Sequence, residues 1–515
     1  MQEVMLARLD RAKTITMLLL PVAILLAILW GLIGHFFYLL DDAYIHLQLS
    51  EMIGLHGHFG LHADSYASPS SSLLWTAWLA LWAHWQTLYD YVPLLTNIGI
   101  LALLANDLLK WLERITTSAS HAVWLVIAML LSLNVYWLAL SGMEQLMQAW
   151  LTVRVMIAVS RQQWQTLPLY GALVGLALLR YESLALCLPV LILAMVNGEY
   201  KKPLCTLGLI AISLAAYSLF LHEGLGLAWL PASVQIKSVF AHVGEDGQSG
   251  YGQAILDNIR HVMQSEYNRY LLWLLAGWLA AWRSSTGRQL MAIASFVYVA
   301  HALFGRADSG RYEIYVIAAC WVAMLHNTIG ILEQYMCSRS RKAIVMLTVV
   351  VLNTGSVFSS LSAPWAAQNI HDQQGQLGIL VKDYLKQPIA ANDIGMIGRH
   401  NNLPVLDLVG LGSKGVYELR HASALNSGWI TTLLEQHQIH YAIVYEHWFP
   451  AWPKNLIKVA CFDMPGLLLT PAARQVSLYA DSAATRKTLL QAIARYQRDH
   501  PAQASWFHLT ETDRQ

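Results

Sequence analysis

The sequence predicts an α-helical polytopic membrane protein with a small C-terminal α/β domain. Three observations carry that expectation. Of 515 residues, 56% are hydrophobic and only 13% are charged, where a soluble domain usually carries about a quarter charged residues; the mean hydropathy is +0.42. Apolar runs of spanning or near-spanning length recur over most of the chain. Lysine and arginine collect in alternate connections between those runs, the pattern of a chain that crosses a bilayer repeatedly.

The first run follows Arg8, Arg11 and Lys13 and extends over 14–40. A signal-peptide core is about 7–15 residues long, so this run reads as an uncleaved first transmembrane helix. Further runs lie at 91–109, 121–141, 143–160, 166–180, 182–198, 203–221, 269–282, 289–304, 312–332 and 343–363. Another apolar segment, 72–85, is too short to cross comfortably, and whether it crosses sets the topology of everything after it. No lysine or arginine occurs between Lys13 and Lys110, which places the 41–90 loop outside. If 72–85 lies along or dips into the outer leaflet, then Lys110, Arg114, Arg161, Lys201, Lys202, Arg283, Arg288, Arg339, Arg341 and Lys342 all fall on the cytoplasmic side. The expected arrangement is about eleven spans, N-terminus in and C-terminus out, with a membrane domain over 1–363 and an extracytoplasmic domain over 364–515.

That last segment is polar. It alternates short β-type runs (388–391, 404–409, 441–445, 476–479) with helical stretches (374–386, 428–438, 483–497), as a small α/β domain does. The net charge of +1 leaves no basic field for nucleic acid. The five cysteines are far apart, with no disulfide framework.

On this topology the outward loops and helix ends hold Asp41, Asp42, Glu144, Arg180, Tyr181, Glu182, Lys237, Arg306-Ala307-Asp308, Arg311, Tyr312 and Glu313. Charges gathered at one face look like one composite site, whereas a transporter places them near the midplane. Asp41 and Asp42 lead as candidate catalytic groups: a carboxylate at the boundary can accept a proton from an acceptor hydroxyl or hold a cation. A water-exposed acidic helix end is the plainer alternative, and Asp64 has a weaker claim. Arg180 and Arg311 offer planar forks suited to phosphate, and Lys237 a point charge; snorkelling to the interface is the alternative for each. Glu144 either contacts substrate or favours a helix dipole. Tyr44, Tyr66 and Trp75 could stack on a sugar ring, although interfacial anchoring suits Trp75 better. His46, His56, His58 and His62 share a loop, but polar loop histidines explain them better than a zinc set. No metal site is assigned; a divalent cation on the carboxylates stays open, and no other cofactor is implied.

Taken together, Asp41-Asp42-Ala43-Tyr44-Ile45, Gly57-His58-Phe59-Gly60 and Ala67-Ser68-Pro69-Ser70-Ser71-Ser72-Leu73-Leu74-Trp75 resemble the first external loop of GT-C glycosyltransferases. They are most similar to the bacterial arabinofuranosyltransferase and mannosyltransferase-type branch. Ser141-Gly142-Met143-Glu144, Arg180-Tyr181-Glu182, Leu230-Pro231 with Lys237, Gly310-Arg311-Tyr312, Asn392-Asp393-Ile394-Gly395 and Leu406-Asp407-Leu408-Val409-Gly410-Leu411 follow in the family's order. The resemblance implies a GT-C-like fold in a bacterial inner membrane. It implies transfer of a sugar, arabinofuranose or another pentose or hexose, from a polyprenyl-phosphate donor to a glycan, lipid or protein acceptor on the outer face. Asp41 or Asp42 then maps onto the base, and Arg180, Lys237 and Arg311 onto the cations near the lipid phosphate; Tyr44, Glu144, Glu182 and Tyr312 complete the expected substrate-binding set. Gln145, Tyr181-Glu182 and Ala232 depart from the commoner family wording, which leaves the sugar and the acceptor open. A lipid-linked-sugar flippase, or a non-catalytic envelope assembly protein, are the competing classes.

Overall fold

The computed structural model describes residues 2–63, 65–239, 250–265, 268–282, 284–305, 311–422 and 428–510. Asp64, Arg283, Arg306-Ala307-Asp308 and Gly310 lie outside the described residues. Each apolar run of the sequence contains a helix: Gln2–Ile33, Val92–Ile115, Ala119–Ser132 with Val135–Leu140, Gln145–Ser160, Leu167–Leu179, Leu184–Val196, Lys201–Leu219, Arg269–Ala281, Ser285–Phe304, Ile314–Tyr335, and Arg339–Leu352 with Thr354–Ile370. Among the described residues, four helices are long and apolar enough to cross a bilayer alone: Asp10–Ile33, Val92–Ile115, Lys201–Gly224 and Ile314–Tyr335. The pair Arg339–Leu352 and Thr354–Leu385 passes together but bends by 76°. Two local breaks shorten their neighbours: Asn134, with its positive φ of 48°, separates Ala119–Ser132 from Val135–Leu140, and the extended Arg180 ends Leu167–Leu179.

The run 14–40 differs from expectation. Its helix ends at Ile33, and Gly34 (φ 84°) starts an extended passage to Asp41. Asp41 and Asp42 therefore open a second helix, Asp41–His56, rather than ending the first. Two carboxylates in a first turn favour the helix dipole. Segment 72–85 forms a nine-residue helix, Leu73–Leu81, about 14 Å long and too short to cross. The Ser72 hydroxyl caps it by accepting from Trp75 N. Its neighbour is the helix Asp41–His56: a Cβ on Gly54 would stand 2.6 Å from Ala83 Cβ. Trp75 is not an interfacial anchor but fully buried, against Leu79, Val92 and Leu179.

Beyond the helices, six strands form one sheet in the order β2-β1-β3-β5-β4-β6: β1 (Ile389–Ala391), β2 (Val405–Asp407), β3 (Tyr441–Val444), β4 (Ile457–Asp463), β5 (Gln475–Ala480) and β6 (Phe507–Leu509). β1 runs parallel to β2 and β3; the remaining pairs are antiparallel. The helix Asp41–His56 is a wall shared by two cores. Ala43, Tyr44 and Leu47 pack into the helical bundle, and Ile45 and Leu49 pack with Ile389, Ile394 and Ile397 of the sheet region. A helix apolar on both faces must be covered on both, and this one brings its acidic first turn to the junction.

The two ends of the helical layer differ. Glu144, Arg180, Arg311 and Lys237 stand at the end covered by the sheet region, joined by the contacts described below. Lys110, Arg114, Arg161 and Lys342 stand at the other end, where Arg11 also pairs with Glu113 (2.6 Å).

Candidate active site

The site is assembled from helix termini. Asn97 donates through its amide to the carbonyls of Leu138 (3.3 Å) and Met143 (3.1 Å), fixing the turn that presents Glu144. Gly142 in that turn has φ 75°, and a Cβ there would lie 2.6 Å from the Tyr38 ring, so only glycine fits both demands. Ala232 N donates to the Ser68 carbonyl (3.0 Å), which ties the first loop to the short helix ending in Lys237.

A continuous chain of charge follows. Asp42 Oδ2 accepts from Arg311 Nη2 (2.5 Å) and from Lys237 Nζ (3.2 Å). Arg311 Nη2 also donates to the Tyr312 hydroxyl (2.9 Å). The Tyr312 ring lies between two guanidinium groups, with Arg311 and Arg180 each 4.8 Å from its centroid. Arg180 in turn donates to Glu144 (2.7 Å) and Glu182 (2.9 Å). Arg180, Glu144, Arg311 and Tyr312 are buried. In a low dielectric such charges persist only when paired.

Asp41 points elsewhere. Its two carboxylate oxygens accept from the backbone N–H groups of Gly395 and Met396, both at 2.7 Å. A Cβ on Gly395 would fall on the Asp41 carbonyl oxygen, so the close approach needs glycine there. Behind it, Asp393 Oδ2 accepts from Gln374 Nε2 and the Tyr445 hydroxyl, both at 2.8 Å. Burial above all, and then the charge of Asp393, push the Asp41 carboxyl upward, against the pull of the two N–H donors. For Asp42 burial pushes the same way, but Lys237 and Arg311 outweigh it and hold the carboxyl far below its ordinary value. Two adjacent carboxylates thus have opposite proton affinities, the separation that assigns acid and base roles in many enzymes.

Of the residues singled out in the sequence, Asp42, Glu144, Arg180, Glu182, Lys237, Arg311 and Tyr312 converge in one cluster, and Asp41 stands beside it. Tyr44 does not present its ring there: it is buried beside Tyr38 and Phe37, and its hydroxyl accepts from Tyr38 N (3.0 Å). The histidines disperse. His58 bonds the Ser65 carbonyl (2.9 Å) and stacks on Tyr66, His62 accepts from Val405 N, and His46 is buried near Glu144 and Asp42. Among the described residues no group of three or more His, Cys, Asp or Glu is placed to hold a metal ion.

Sequence reasoning passed over Asp393 and Tyr445 as site residues. Two signals pointed to Asp393: it stands in the Asn392-Asp393-Ile394-Gly395 motif, and it lies just past β1, at the carboxyl end of a parallel strand, where α/β sheets gather functional groups. It also missed the fork of Arg399, which is paired with Glu51 and with Asp90 (2.6 Å). Asp407 is spent on its own loop, accepting from Val409 N and Gly412 N, both at 2.7 Å.

Comparison with known proteins bears on the fold. Residues 368–479 match a family described as a domain of unknown function (DUF8728). No curated protein sequence matches the chain. Among solved structures, ArnT from Cupriavidus metallidurans in the apo state is similar with a TM-score of 0.51 and 12% identity, covering 91% of this chain and 98% of that one. The same protein bound to undecaprenyl phosphate gives a TM-score of 0.47 at 12% identity, over 91% of this chain and 99% of that one. The apo likeness shows the fold alone: a mostly helical architecture like that of ArnT, with a small C-terminal sheet region.

Proposed function

We propose that this chain is a membrane glycosyltransferase that takes a sugar from a polyprenyl-phosphate donor and passes it to an acceptor hydroxyl. The observation that carries the reading is the split between Asp41 and Asp42 beside two cations. The acceptor oxygen attacks the anomeric carbon, the bond from that carbon to the phosphate oxygen breaks, and polyprenyl phosphate leaves. Asp41 takes the acceptor proton, since a carboxyl pushed upward is a better base near neutrality. Each of its oxygens keeps a lone pair beyond the N–H it accepts. Arg311 and Lys237 stabilise the departing phosphate, and Asp42 holds them in place until it arrives. Arg180, Glu144 and Glu182 fix the Tyr312 ring between the two forks.

The likeness of motif order to the arabinofuranosyltransferase and mannosyltransferase-type branch supports a pentose or hexose as the sugar and an envelope glycan, lipid or protein as the acceptor. The basic loops support a multi-pass inner-membrane protein whose N-terminus is cytoplasmic and whose residues 364–515 form a separate extracytoplasmic domain over the 1–363 membrane domain.

The test is transfer in proteoliposomes supplied with polyprenyl-phosphoryl pentoses and hexoses, reading release of polyprenyl phosphate. Asp41→Asn keeps the shape and removes the base, and the rate is expected to fall by about 10²–10⁴-fold. Asp42→Asn, with both cations released from their carboxylate, is expected to bind donor no worse than wild type. An Asp41→Asn protein that folds and transfers sugar at the wild-type rate overturns this assignment. Wild-type protein that moves lipid-linked sugar across the bilayer without cleaving it makes the chain a flippase instead.

A further inference from the structure

Far from this cluster, at the opposite end of the helices, lies a cavity of about 240 Å³. Two packed helices line it with matching stripes. Val92–Ile115 contributes Asp107, Lys110 and Arg114; Gln145–Ser160 contributes Arg154 and Ile157, and Arg161 follows it. Both sets have the spacing i, i+3, i+7, which puts each on one helix face. Glu144 and Arg161 are 17 positions apart on one rod, so the cavity is about 25 Å from the candidate active site.

The charge there is unbalanced. Four cations surround one carboxylate. Asp107 is already engaged: it accepts from Trp150 Nε1 (3.1 Å) and faces Arg154 Nε at 3.8 Å. Arg154 is exposed and lies over the Trp150 ring (5.2 Å). Among the described residues, the side chains of Lys110, Arg114 and Arg161 make no hydrogen bond or ion pair. Partial burial and then the nearby charge of Arg114 push the Arg161 guanidinium downward, against the smaller opposing pull of Asp107. Ile157, Ala158, Pro168 and Leu169 give the lining an apolar part, and the polar Gln163 and Thr166 complete it. Like charges packed at this density cost energy unless an anion sits among them.

We propose that this cavity binds a phosphate group, with Arg114 and Arg161 as forks on its oxygens and Lys110 and Arg154 as flanking charges. Phosphate suits guanidinium forks, with charge-assisted bonds roughly twice as strong as neutral ones. The apolar part of the lining beside the cations suits a phosphate that carries a glycerol ester, and basic pockets between membrane helices take anionic lipid head groups. A phospholipid head group and a free phosphate share this chemistry.

The test uses the full chain in phosphatidylcholine nanodiscs with and without phosphatidylglycerol, reading melting temperature and retained lipid by native mass spectrometry. Phosphatidylglycerol is expected to raise the melting temperature and to remain bound. The R114Q/R161Q double variant is expected to hold it about tenfold more weakly, the loss of roughly 1.4 kcal/mol, while R339Q/R341Q does not. Inorganic phosphate titrated into phosphatidylcholine nanodiscs forms the second arm. Stabilisation by phosphate alone, lost in R114Q/R161Q, supports a free-phosphate site. The same phosphatidylglycerol retention in wild type and R114Q/R161Q, with no response to phosphate, overturns the proposal. None of these readouts depends on sugar transfer.

Discussion

The two ends of the helical layer handle charge in opposite ways. Under the sheet region, Arg180, Arg311, Glu144 and Tyr312 are buried and linked pair by pair. At the other end, Lys110, Arg114 and Arg154 are exposed and share one carboxylate. A buried charge has its partners fixed by desolvation, because an unpaired ion in low dielectric costs several kcal/mol. An exposed one keeps water as its partner and can exchange it for a ligand. The first end is therefore rigid and prearranged, as electrostatic catalysis requires; the second is adaptable.

The largest test of that contrast is stability. Arg180→Ala leaves Glu144 buried without its cation, and removing one partner of a buried pair typically costs about 3–5 kcal/mol. Arg154→Ala at the exposed end is expected to cost at most about 1 kcal/mol. Thermal melts of both variants in the same detergent check the difference. Equal losses would mean that water reaches the first cluster and that its pairing is not enforced by burial.

A second test sharpens the roles within the buried end. Under the proposed mechanism transfer requires Asp41 ionised, so kcat/KM is expected to fall as pH drops through its raised pKa. Asp393 contributes to that rise through its charge. Asp393→Asn keeps an acceptor for Gln374 and Tyr445 but removes the charge. The Asp41 carboxyl then drops, and the acidic limb of the profile moves to lower pH. A limb that stays in place, with the rate otherwise intact, would separate Asp393 from the base.

These networks also show which parts of the molecule can be read in its sequence. The helices were legible because an apolar run in a membrane protein has few alternatives to a helix. Strands β1, β2, β3 and β5 were legible as short β-type runs separated by helical stretches. β4 was not, since the bulge between Lys458 and Ala460 breaks its alternation, and three-residue β6 has too little pattern to find. Glu144, Arg180 and Arg311 could be singled out because charges at helix ends stand out against apolar surroundings. Tyr44 and Trp75 were open to a surface reading because an aromatic ring serves an interface or a core equally well, and only packing decides. The pairing of Asp41 with Gly395 spans most of the chain, and no local pattern encodes it. The end of the first helix was displaced for a simple reason: Gly34 turns the chain while apolarity continues to Leu40.

The smallest expected effect is also the most selective. Tyr312 contributes two things to the cluster, a ring face for both guanidinium groups and a hydroxyl that accepts from Arg311. Tyr312→Phe keeps the ring, so the cation–π contacts, each worth about 0.5–2 kcal/mol, remain. It removes one hydrogen bond from Arg311, of about 0.5–1.5 kcal/mol net. Arg311 keeps Asp42 as its partner in the free protein, so folding should change little. Under the proposed mechanism donor phosphate takes that fork, the guanidinium in Tyr312→Phe is then less well aimed, and the donor KM is expected to rise by about three- to tenfold with kcat nearly unchanged. Tyr312→Leu removes the ring as well, leaving Arg180 and Arg311 facing each other without the screening π face. Its melting temperature should fall where that of Tyr312→Phe does not. If both variants melt and turn over as wild type does, the ring is filler between two forks that are positioned by their carboxylates alone.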